Sequence, residues 1–85
     1  MTESDISELF ERTNTRGYKD NAKNILIWFK SLDKNNVDIN SRDLFRVTIK
    51  KFNSELAYRN YFSLGYEARE SLFSDCYNEA LHELR

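Results

Sequence analysis

Apolar residues recur along most of this chain at spacings of three and four, the period of a helix with one buried face. The longest such stretch is Ser41–Phe62, where Phe45, Ile49, Phe52 and Leu56 follow one another at intervals of 4, 3 and 4. Leu44, Val47, Tyr58 and Phe62 widen that stripe into a broad apolar arc, so the pattern predicts a central helix over about 41–62 with neighbours on two flanks. A last helix is predicted from about Tyr66 to Leu84, with Leu72, Phe73, Cys76, Tyr77, Ala80, Leu81 and Leu84 as its stripe. Upstream, Asp20 or Asn21 caps a helix reaching to about Leu32. There Ala22, Ile25, Leu26, Phe29 and Leu32 face inward, Trp28 sits at the edge and Ile27 points the other way. Ile6, Leu9 and Phe10 mark a short N-terminal helix, capped by Thr2 or Ser4 and ended by the run 13–17 with Gly17.

The breaks between these stripes are polar. The connection 33–40, DKNNVDIN, is rich in turn residues, and Asn40 or Ser41 then caps the central helix, with Asp43 in the place of a capping-box acid. A hairpin over 37–49 competes with that reading, because Val47, Thr48 and Ile49 are β-branched or β-favouring. The 4-3-4 spacing and the missing glycine in the would-be turn favour the helix. Gly65 follows the central helix, where a glycine C-cap is expected. The result is an all-α fold, a small bundle of three longer helices plus the short N-terminal one.

Composition supports this reading. There is no proline and there are only two glycines, so helix breakers are nearly absent, and 85 residues form a single helical domain, 1–85. Net charge is −1, which supplies no overall field for nucleic acid. The single cysteine, Cys76, excludes an internal disulfide and fits a reducing compartment. The N-terminus has neither the basic start nor the apolar run of a signal peptide, and the longest apolar run, 25–29, is far short of a membrane span. A cytoplasmic location without membrane contact is the expectation. Usage rich in Asn, Lys, Ile and Phe resembles that of AT-rich genomes such as those of many phages and plasmids.

Three stretches invite a chemical reading. FKSLDKNNVDINSRDLFRV resembles an EF-hand, which implies oxygen ligands from Asp33, Asn35 and Asp43 around calcium, with Ile39 at the central apolar position. The loop departs from the pattern by being one residue short and by lacking the glycine of the sharp turn. Glu79 and His82 have the Glu-x-x-His spacing of di-iron bundles, but there is no second such motif, and His82 lies off the apolar stripe. Cys76, among Leu72, Phe73 and Ala80, reads as a buried inert thiol. No catalytic, metal or cofactor residue is therefore assigned, and an enzyme is not expected.

What remains unexplained by packing is the strip Arg42, Arg46, Lys50 and Asn53, together with the aromatic group Tyr58, Tyr61, Phe62, Leu64 and Tyr66. Tyrosine and arginine are enriched at interface hot spots. Joined to Ile27 and Trp28, these residues predict a mixed aromatic and cationic surface for a protein partner or a second copy, with Arg42, Arg46, Lys50, Tyr58 and Tyr61 as contacts. The expected function is a non-catalytic interaction module, of the kind a phage or plasmid uses to modulate or inhibit a host protein by occlusion. The alternative is a small nucleic-acid-binding regulator, since Arg reads guanine and Asn reads adenine in the major groove. The eight-residue connection before the central helix is long for a helix-turn-helix.

Overall fold

The computed structural model describes residues 22–58 and 65–85. These form three helices, α1 (Ala22–Asp33), α2 (Ser41–Tyr58) and α3 (Tyr66–Leu84), with no strand among the described residues. The bundle is the all-α fold that the apolar periodicity predicts. The expected N-terminal helix and the stretch 59–62 of the central helix lie outside the described residues.

Each helix forms where its stripe can be buried. On α2 the predicted set Phe45, Ile49, Phe52 and Leu56 is sealed from solvent, with Leu44 beside it. α1 contributes Ile25, Leu26, Trp28 and Phe29, and α3 contributes Leu72, Phe73, Cys76, Tyr77 and Ala80. Helix α3 packs most extensively on α2 and also on α1. The centre is aromatic: Phe52 meets Phe73 edge-on at 5.3 Å, and Phe29 meets Phe45 at 5.1 Å. Edge-to-face contact brings the positive ring edge onto the negative face, which adds to the burial of large apolar surface.

The junction between α1 and α2 is built by two asparagines. The Asn36 carboxamide oxygen accepts from the backbone N–H groups of Asp38 and Ile39, and its amino group donates to the Ile39 carbonyl at 2.8 Å. Asn40 then caps α2, its Oδ1 accepting from the N–H of Arg42 at 2.9 Å and of Asp43 at 3.2 Å. With that cap, the hairpin over 37–49 does not form: Val47, Thr48 and Ile49 stand in mid-helix. The Thr48 hydroxyl, fully buried, donates to the Leu44 carbonyl one turn back at 2.7 Å, so the β-branched run hides no unpaired donor.

Two expectations need correction. Tyr58 does not extend the apolar arc of α2, because it is 90% exposed. Gly65 is not a left-handed C-cap: it is the N-cap of α3, with φ −75° and ψ 174°, and its carbonyl accepts the Arg69 N–H. That extended conformation is what an N-cap requires, so the glycine's freedom at positive φ is not used.

Candidate functional site

The outer side of α2 carries Arg42, Arg46 and Lys50 one turn apart, all exposed and none in an ion pair with a described residue. Asn53, the fourth member of the expected strip, is half-buried. Lys51, next to Lys50, behaves differently: its ammonium meets the Glu83 carboxylate of α3 at 2.7 Å, and that hydrogen bond raises its pKa. The basic residues of α2 therefore divide by flank. Lys51 turns towards α3 and is ion-paired there, while Arg42, Arg46 and Lys50 stand exposed without a described carboxylate partner. Between α2 and α3 lies an open cleft of about 460 Å³, with Lys50, Lys51, Glu55, Glu79 and Glu83 among its walls.

Tyr58 is exposed but does not join Arg42 and Arg46. At about 100° per residue it stands roughly 120° around α2 from Arg46. Tyr61, like Arg59, Asn60, Phe62 and Leu64, lies outside the described residues. Tyr66 lies in a groove of about 190 Å³ between α1 and α3. Ile27, Trp28, Leu32, Glu70 and Ser74 line that groove with it. The Trp28 indole N–H donates to the Tyr66 hydroxyl at 3.1 Å, and the two rings meet at 5.4 Å and 62°. Ile27 thus acquires apolar neighbours, and Trp28, expected at the edge of the α1 stripe, is buried against Phe52 and Phe73. Residues 28 and 66 stand 38 apart, beyond the reach of any periodicity in one helix. Their only sequence signal is that both are amphipathic aromatics left at the margin of a stripe.

The expected mixed surface accordingly separates into a cationic strip on α2 and an apolar groove between α1 and α3. The remaining candidates resolve as structure. The Asp33 carboxylate accepts the Ser41 hydroxyl on one oxygen at 2.6 Å and the Tyr77 hydroxyl on the other at 2.9 Å. Both of its oxygens are engaged, while Asn35 and Asp43 are exposed. Among the described residues no three His, Cys, Asp or Glu side chains gather as a metal site. Glu79 and His82 both face solvent. Cys76 is buried, and burial pushes its thiol up to about 12, reinforced by the carboxylates of Glu79, Glu55 and Asp75. Such a thiol stays protonated near neutral pH and is a poor nucleophile. No described helix is long and apolar enough to cross a membrane. Searches against known protein families, curated proteins and solved structures find no match to the chain.

Proposed function

We propose that the chain is a non-catalytic protein-binding module that modulates or inhibits a macromolecular partner by covering part of its surface. The observation that carries this reading is the strip Arg42–Arg46–Lys50, three exposed cations on a helix whose inner side is already filled by core. Their charges do no work inside the fold, since no described carboxylate pairs with them. A planar guanidinium fork suits bidentate contact with carboxylates, so an acidic protein surface is the fitting partner. Tyr58, exposed at the end of α2 and turned away from the strip, is kept with Tyr61 as an expected aromatic contact.

The nucleic-acid reading draws on the same strip. Against it stand the net charge of −1 and the five carboxylates of α3, which place a repulsive surface beside any phosphate backbone. One experiment separates the two. The wild-type chain and Arg46→Glu/Lys50→Glu are each immobilised, and captured host proteins and nucleic acid are quantified at several salt concentrations. The protein-binding reading expects a discrete protein captured by wild type and lost at least about tenfold in the double variant. Captured nucleic acid, weakening steeply with salt and lost in the variant, overturns it.

A further inference from the structure

We propose that the groove between α1 and α3 is a second docking site, for a basic peptide segment that inserts one aliphatic side chain beside Trp28. Ile27 is 53% exposed and Tyr66 is 46% exposed, both at the mouth of this groove, whereas the core beneath them is closed. The walls are largely apolar, from Ile27, Trp28, Leu32 and the Tyr66 ring. A volume of about 190 Å³ exceeds the roughly 150 Å³ cavity known to admit benzene, so one side chain of leucine size fits and a whole helix face does not. The site is formed in advance, because the indole N–H of Trp28 holds the Tyr66 hydroxyl and fixes that ring as a wall.

Charge selects the occupant. Glu70 lines the groove, and exposed Glu67 adjoins Tyr66 in the first turn of α3. On the α1 wall the polar groups are Ser31 and the Trp28 indole N–H, already engaged by Tyr66, and none of the lining residues is a cation, exposed Lys30 standing one turn beyond Ile27. An incoming segment thus meets apolar surface ringed on one side by carboxylates, which favours lysine or arginine next to the inserted residue and disfavours an acidic peptide. This surface is independent of the α2 strip and has the opposite charge preference, so one small domain would hold two partner surfaces at once.

The test is a titration of the isotope-labelled full chain, followed by NMR, with three capped pentapeptides: Lys-Lys-Leu-Lys-Lys, Lys-Lys-Ala-Lys-Lys and Glu-Glu-Leu-Glu-Glu. The expected result is saturable shifts of the Trp28 indole and of the Ile27 and Ser74 amides. The leucine peptide should bind at least about tenfold more tightly than the alanine one, and the acidic peptide should leave these signals unmoved. Ile27→Ser should erase the preference for leucine, and Glu70→Lys should weaken lysine-peptide binding several-fold. Both positions are exposed, so the fold is retained. Equal shifts from the leucine and alanine peptides, no shift at all, or shifts produced by raising the protein concentration alone would each overturn the proposal. None of these outcomes bears on the α2 strip, whose residues lie outside the groove.

Discussion

Cys76 and Tyr77 are neighbours on the buried face of α3, and both are acids whose charged forms burial disfavours. The thiol rises from 9.0 to about 12 on desolvation. The phenol rises from 10.0 to about 12, first through burial and then through its hydrogen bond to Asp33. A folded-state pKa above the unfolded one means that the native chain keeps a proton which the unfolded chain releases. Their contribution to stability is therefore complete below pH 9 and is lost progressively between 9 and 12. The urea midpoint should fall on going from about pH 8 to about pH 10.5, and Cys76→Ala should show a smaller fall than wild type, because the thiol begins to titrate first. An identical decline in the variant would show that the thiol is not the source. The buried state of Cys76 was readable in its apolar stripe. The Tyr77 bond was not, because Asp33 lies 44 residues away and belongs to another helix's end.

At the scale of the element, the starts of α2 and α3 differ in chemistry. α2 begins on Asn40, whose side chain holds two backbone donors, while α3 begins on Gly65 with no side-chain cap. Asn40→Ala should cost about 1 kcal/mol in urea denaturation, and Asn40→Asp should retain most of that. Gly65→Ser should stabilise by a few tenths of a kcal/mol, since a Cβ there meets nothing within 4 Å and a hydroxyl could reach the first-turn N–H groups. Residues 45, 49, 52 and 56 were legible as core because four positions on one side must be buried by something, whatever it is. Tyr58 was not, because an apolar arc does not say which of its two margins a neighbouring helix covers. Residue type alone suggests that Gly65 ends a helix, whereas it begins one, and the two roles share a residue preference but not a backbone angle.

For the molecule as a whole, a net charge of −1 conceals a partition. α2 carries Arg42, Arg46, Lys50 and Lys51 against Asp43 and Glu55, whereas α3 carries five carboxylates against Arg69. Both proposed surfaces draw on that partition, the cationic strip on α2 and the groove between α1 and α3 whose acidic rim comes from α3. One aromatic core lies beneath both. Asp33 links these scales: through Ser41 and Tyr77 it joins the end of α1 to the start of α2 and to the middle of α3. Helix ends ordinarily fray independently and at little cost. Here the last turn of α1 cannot loosen without releasing the other two attachments, so backbone amides near residues 30–33, 42–46 and 76–79 should exchange with deuterium as one cooperative unit. Asp33→Ala should raise exchange in all three segments together. Acceleration confined to 30–33 would mean that the carboxylate only decorates a helix end.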